Sequence, residues 1–274
     1  KEKFETAGFK VDLQYANNEV ATQVSQIENM ISAGVKVLVI AAIDGKTLTS
    51  VLASAKTAGI YVIAYDRLIM DTDAVSYYCT FDNYMVGTIQ GQYIKDQLKL
   101  DDGGKYNIEI TAGDPADNNA LYFYQGAIDV LQPYIDSGVL TVVSKQVKFE
   151  EVATPAWSTE TSQARMEAIL ASFYADGTQL DACLCSNDST AKGVTNALAS
   201  SYTGKYPIVT GQDCDIANTK DIIAGKQSMS IFKDTRTLAA QTVQMVSDIL
   251  AGKTPEANDT KSYDNGKGTV PTYL

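Results

Sequence analysis

Polar side chains recur just beyond the apolar runs of this 274-residue chain. Asp44 follows Ile43, Asp66-Arg67 follow Tyr65, and Asp117-Asn118-Asn119 follow Asp114-Pro115. Asn187-Asp188 follow Cys185-Ser186, Asp213 follows Gly211-Gln212, and Lys233 follows Phe232. Donors and acceptors are both supplied, as a polyhydroxylated molecule requires, since each hydroxyl donates once and accepts up to twice. Charge-assisted hydrogen bonds are roughly twice as strong as neutral ones, which favours Asp and Arg for hydroxyl recognition. Singly, each group is ordinary, because Asp and Asn are common in turns and helix caps. Their recurrence carries the argument. The lone tryptophan, Trp157, lies in the polar stretch Ala156-Trp157-Ser158-Thr159-Glu160, where an aromatic face could cover the apolar side of a pyranose; an ordinary core position is the competing reading.

Other chemistries lack their residues. The chain has no histidine, so the usual neutral-pH general base and the commonest zinc ligand are both missing, and a serine triad is impossible. Ile40 to Thr47 ends like a phosphate-binding loop but has Ile where the first glycine must stand. No Gly-x-Gly-x-x-Gly follows a strand-like run, so a dinucleotide site lacks its fingerprint. Asp71-Thr72-Asp73 and Asp213-Cys214-Asp215 are carboxylate-rich without forming an EF-hand pattern, and neither a metal nor a cofactor is expected. A net charge of −11 without a basic block argues against nucleic acid and against an anionic membrane surface. Cys79, Cys183, Cys185 and Cys214 have neither zinc nor redox spacing and read as small buried thiols. The longest apolar run, Val35 to Ile43, is interrupted by Lys36 and is far short of the ~20 residues of a membrane span.

The elements that must position these groups follow from periodicity. Strand-like runs are Val11 to Tyr15, Val35 to Ala42, Tyr61 to Tyr65, Tyr106 to Thr111, Leu140 to Val143, Leu180 to Cys185, Pro207 to Thr210 and Met229 to Phe232. Between them, Val20, Val24, Ile27 and Ile31 mark one helix face, and similar stripes occur in 48–55, 86–98, 121–131, 166–173, 191–198 and 238–250. Alternating strand and helix predicts an α/β fold of doubly wound parallel sheets. Two sheets suit the length better than one, with crossings at Thr111 to Pro115, Ser230 to Asp234 and Asn265 to Gly268. The expected N-terminal lobe is therefore 1–111 plus 234–265, and the C-terminal lobe 112–233 plus 266–274. Such discontinuous lobes imply a three-segment hinge and an interlobe cleft, where strand-end groups in open α/β sheets bind ligands.

Val37-Leu38-Val39-Ile40-Ala41-Ala42-Ile43-Asp44-Gly45, Ile63-Ala64-Tyr65-Asp66-Arg67-Leu68-Ile69, Thr80-Phe81-Asp82-Asn83 and Gly113-Asp114-Pro115-Ala116-Asp117-Asn118-Asn119-Ala120 carry a family resemblance. Ser186-Asn187-Asp188, Thr210-Gly211-Gln212-Asp213 and Met229-Ser230-Ile231-Phe232-Lys233 continue it in order. The chain resembles bacterial multiple-monosaccharide-binding and D-xylose-binding proteins, a subgroup of the type I periplasmic binding proteins. That resemblance implies that Asp66 and Arg67 bond a sugar from the first lobe. Asn119, Asn187, Asp213 and Lys233 would do so from the second lobe or hinge, and Trp157 would stack on the ring. Asp117 and Asn118 share the motif with Asn119, and which of the three faces the sugar stays open.

The resemblance further implies an extracytoplasmic, non-enzymatic and monomeric protein, either periplasmic or a cell-surface lipoprotein, made with a signal peptide. Its partners would be the membrane subunits of an ABC importer, and in some members a chemoreceptor or sensor kinase. The family normally begins with a further strand and a sugar-contacting loop, so these are expected to lie outside the present residues, as is a short C-terminal tail. The expected mechanism is a two-lobed trap that takes one aldose, such as xylose, glucose, galactose or arabinose. Rival readings are the effector region of a LacI-type repressor, which needs a basic helix-turn-helix ahead of it, a sugar-sensing receptor component that does not serve transport, and a carboxylate-based sugar-modifying enzyme.

Overall fold

Eight strands form in the computed structural model, which describes residues 1–274: β1 (Val37–Ile40), β2 (Tyr61–Tyr65), β3 (Tyr77–Cys79), β4 (Tyr106–Thr111), β5 (Leu140–Val142), β6 (Ala182–Cys185), β7 (Ile208–Val209) and β8 (Thr272–Tyr273). They build two four-stranded sheets of order β1-β2-β3-β8 and β5-β4-β6-β7, and every pairing within them is parallel. The helices are α1 (Glu2–Thr6), α2 (Val20–Ser32), α3 (Thr49–Thr57), α4 (Asn83–Leu98), α5 (Asn118–Asp136), α6 (Phe149–Val152), α7 (Thr159–Phe173), α8 (Asp188–Ser201), α9 (Ile216–Ile223) and α10 (Thr235–Leu250). No helix is long and apolar enough to cross a membrane. Parallel strands need crossover helices, and those helices bury both faces of a sheet. The second sheet shows this in β6, which is buried at every residue. Ala182 and Leu184 enter one apolar cluster with Ile94 of α4 and Leu131 of α5, while Cys183 and Cys185 enter another with Met166 of α7 and Val194 of α8. Burial pushes the Cys183 and Cys185 thiols up, as expected of inert core cysteines. In the first sheet, Ile63 and Cys79 pack with Leu238, Met245 and Val246 of α10.

Two of the expected strands are absent. Val11 to Tyr15 forms no ladder and is mostly exposed, and Met229 to Phe232 contributes only an isolated bridge from Ile231 to Gln212. An apolar run becomes a strand only when a neighbour takes its backbone groups, and these runs have no continuous neighbour.

The boundaries also differ from expectation. Unit 1 comprises 1–81, 116–118 and 234–274; unit 2 comprises 82–115 and 119–233. Residues 82–111, expected in the first lobe, belong to the second because β4 pairs with both β5 and β6. The glycine- and proline-bearing stretch at 111–115 begins a loop at a strand end of that same sheet. The crossing after Phe81 is inconspicuous because Asp82 accepts a hydrogen bond from the Met85 backbone N–H and reads as an ordinary helix cap. Residues 266–274, expected in the second lobe, belong to the first, since β8 lies parallel to β3. Asn265 is not a crossing: its buried side chain donates to the carbonyls of Ile69 and Thr72 and pins the turn within unit 1.

Candidate functional site

In unit 1, Asp66 and Arg67 stand directly beyond β2. Asp66 has a left-handed backbone, φ 65°, which a residue with a Cβ adopts only when its surroundings hold it there. Its N–H donates to Cys79 O at 2.8 Å, and its carbonyl accepts from Tyr78 OH at 2.8 Å and Thr80 Oγ1 at 2.9 Å. Arg67 is steered by the end of β1: Nη1 donates to Ile43 O at 3.2 Å and Ala42 O at 3.4 Å. Its Nε sits 3.0 Å from Oδ2 of the buried Asp117. These contacts fix the guanidinium plane, and Nη2 makes no hydrogen bond within the protein, so its donors are available to a ligand. Asn118, half-buried at the start of α5, makes no comparable contact. Asp44 is held by local geometry, its Oδ1 accepting from the Lys46 N–H at 2.8 Å.

Unit 2 gathers a second set around Phe123. Lys233 Nζ lies over the Phe123 ring, 5.2 Å from its centroid, and 3.5 Å from Asp213 Oδ1. Trp157 packs against the same ring, centroids 6.3 Å apart and planes at 59°. Asn119, buried in the first turn of α5, precedes Phe123 by one helical turn and so shares its face. Left-handed backbone recurs here: φ is 54° at Trp157, 55° at Ala156 and 96° at Asp213. Asp213 is held by its N–H, which donates to Ile231 O at 2.9 Å.

Asn187 combines both readings available to it. It caps α8, with Oδ1 accepting from the Thr190 N–H at 2.9 Å, while Nδ2 makes no hydrogen bond within the protein. Its neighbour Asp188 is wholly buried and structural. Asp188 accepts from Gln227 Nε2, Ser230 Oγ and the Asp215 N–H, all within 3.0 Å. Burial pushes its carboxyl up, and the nearby Asp213 charge adds to this. Two buried glutamine amides tie the strand-end loops together. Gln90 Nε2 donates to the carbonyls of Ser186 and Gly211, and Gln212 Nε2 donates to Ser186 as well. Asn187 and Asp213 are thus held in register through the residues that precede them.

Residues 1–254 match the periplasmic binding protein domain. The chain belongs to that family. The multiple sugar-binding periplasmic protein of Azospirillum brasilense is 51% identical over 99% of this chain and 77% of its own length. The D-xylose-binding periplasmic protein of Escherichia coli is 38% identical over 99% of this chain and 77% of its own. An ABC transporter solute-binding protein from Clostridium phytofermentans, crystallised with β-D-glucose, is 68% identical with a TM-score of 0.98, covering 100% of this chain and 85% of that one. The family membership and fold class expected from the motifs hold.

The supports of these groups carry little local signal in the sequence. Phe123 was hidden in the apolar stripe of α5, although its place four residues after Asn119 signals a shared face. Gly113 read as a boundary glycine, yet any side chain there would collide with the Trp157 ring. The acidic runs have plain explanations. Asp73 pairs with Lys56 at 2.6 Å on the surface, and Asp213 pairs with Lys233.

Proposed function

We propose that this chain captures one monosaccharide, an aldose such as xylose, glucose, galactose or arabinose, and delivers it to the membrane subunits of an ABC importer. It works outside the cytoplasm, in the periplasm or as a cell-surface lipoprotein. The observation that carries the reading is the cluster around Phe123, which offers an indole, an ammonium and a carboxylate together. An aldose needs this mixture, an aromatic surface for its C–H face and charged partners for its hydroxyls. Sugar contacts are assigned to Asp66 and Arg67 in unit 1 and to Asn119, Trp157, Asn187, Asp213 and Lys233 in unit 2. Of the motif residues 117–119, Asp117 is engaged by Arg67, so we assign it to orienting the guanidinium, and Asn118 takes no assigned role.

Each net hydrogen bond contributes roughly 0.5–1.5 kcal/mol, and a buried polar group left unpaired costs about 1–3 kcal/mol. Several matched hydroxyls therefore reach micromolar affinity, about 8 kcal/mol, and a missing or inverted hydroxyl is the main source of discrimination. The relatives favour this solute-binding role over the effector region of a repressor. A thermal-shift screen of free monosaccharides tests the reading, since a ligand of the folded state raises apparent stability. At least one aldose is expected to raise the midpoint and to be recovered chemically unchanged. No shift with any aldose, or turnover of the bound sugar seen by NMR, would overturn it. The gene upstream is expected to encode a signal peptide or lipobox, and a DNA-binding module there would contradict the transport role.

A further inference from the structure

Trp157 has no hydrogen-bonding partner to orient its indole, because Nε1 is buried without an acceptor. Its backbone is left-handed, as is that of Ala156, so the loop does not define a relaxed position by itself. Packing must set the ring plane. One neighbour is the backbone of Gly113, so close that a Cβ there would fall 1.9 Å from Cη2 and 2.1 Å from Cζ3 of the indole. The other is Phe123, inclined to the indole at 59°. That same ring carries Lys233 Nζ 5.2 Å from its centroid, where the negative π face attracts the ammonium. Only 3% of Phe123 is exposed, so the residue has almost no surface of its own to offer a ligand.

We propose that Phe123 is a positioning residue for sugar recognition: one buried ring sets the indole plane of Trp157 and the place of the Lys233 ammonium together, with Gly113 leaving the space the indole needs. The proposal rests on the reading that Trp157 and Lys233 hold the sugar. It couples two otherwise separate requirements, cover for the C–H face and a donor for a hydroxyl, so a change at Phe123 alters both at once. Leucine at this position fills apolar volume without a π face or a flat edge, whereas tyrosine keeps the ring.

The test uses the full chain carrying Phe123→Leu, Phe123→Tyr or Gly113→Ala. Trp157 is the sole tryptophan, so its fluorescence maximum and near-ultraviolet circular dichroism report its surroundings without ligand. Calorimetry with D-glucose and D-xylose reports affinity. Phe123→Leu is expected to change the Trp157 signal of the ligand-free protein and to weaken binding about tenfold or more, with Phe123→Tyr within about threefold of wild type. An unchanged Trp157 signal with affinity within about twofold of wild type would overturn the proposal, as would equal losses in the Leu and Tyr variants. Should Phe123→Leu fail to fold, Gly113→Ala asks the same of the indole: its methyl must displace the ring, and an unaltered signal and affinity would overturn the proposal. Wild-type protein that binds no aldose would overturn the functional reading instead, while the ligand-free Trp157 signal still decides the positioning role.

Discussion

Arg67 in unit 1 and Asn187 in unit 2 face the same task, holding polar hydrogens still at a strand end, and the chain supports them in opposite ways. Arg67 is braced by two backbone carbonyls and by Asp117, which belongs to the same motif run as the candidate ligands. The loops that carry Asn187 and Asp213 are braced by residues with no assigned sugar contact, Asp188, Gln90, Gln212, Gln227 and Ser230, while Asp213 itself also pairs with Lys233. Bracing at Arg67 thus falls partly to a residue of its own motif set, whereas at Asn187 it falls to residues with no assigned sugar contact. Substitutions should separate affinity from stability at Asn187 more cleanly than at Arg67.

Asp188→Ala should have the largest effect. It leaves the buried Gln227 amide, the half-buried Ser230 hydroxyl and the Asp215 N–H without their acceptor, and urea unfolding is expected to show a loss of about 2–4 kcal/mol. A loss below about 1 kcal/mol would mean that the unit 2 loops are braced elsewhere. Arg67→Ala is expected to weaken aldose binding by at least about 100-fold, because it removes a fixed planar donor set and unpairs Asp117 from it. Near-normal affinity in calorimetry would remove Arg67 from the site. Asn187→Ser and Asn187→Ala sharpen the comparison, since serine keeps the cap and neither keeps Nδ2. Both should lose about tenfold in affinity, but only the alanine variant should lose about 1 kcal/mol of stability.

A smaller effect is expected from Glu109 on β4, whose carboxylate accepts from Ser144 N, Ser144 Oγ and Tyr174 OH. Burial pushes this carboxyl above its ordinary value of 4.5. The folded protein keeps the proton where the unfolded chain has lost it, so this contribution to stability is complete below the ordinary value and disappears as pH rises through the folded one. Relative to the non-titrating Glu109→Gln, wild type should lose stability as pH rises above the ordinary carboxyl value of 4.5. A constant difference in urea midpoint would contradict that sign. Asp73→Ala lies at the bottom of the series: it removes only the exposed pair with Lys56, and calorimetry should show unchanged affinity.

Longer apolar runs were legible both inside the sheets and at their edges, whereas the three-residue β3 was not, although it has two neighbours. Tyr61 to Tyr65 and Tyr106 to Thr111 read as strands from their apolar patterns, and both lie inside their sheets. β8 was not legible, since two residues carry no periodicity and Thr272–Tyr273 is a strand only because β3 is beside it. Asp66, Arg67 and Asp213 stood out because charged groups after apolar runs are visible without a fold. Their supports did not stand out, for a physical reason. Phe123, Gly113 and Gln90 act through packing and through bonds to backbone carbonyls distant in sequence, and nothing in their local spacing distinguishes such roles from ordinary core.

Arg67 and Asp213 are both proposed to bond an aldose. Titration calorimetry of D-glucose and D-xylose into wild type, Arg67→Ala, Asp213→Ala and Asp73→Ala tests this directly. The expected result is one sugar bound per wild-type chain, unaltered binding by Asp73→Ala, and losses of at least about 100-fold in the other two variants. Equal affinities across all four proteins would contradict it.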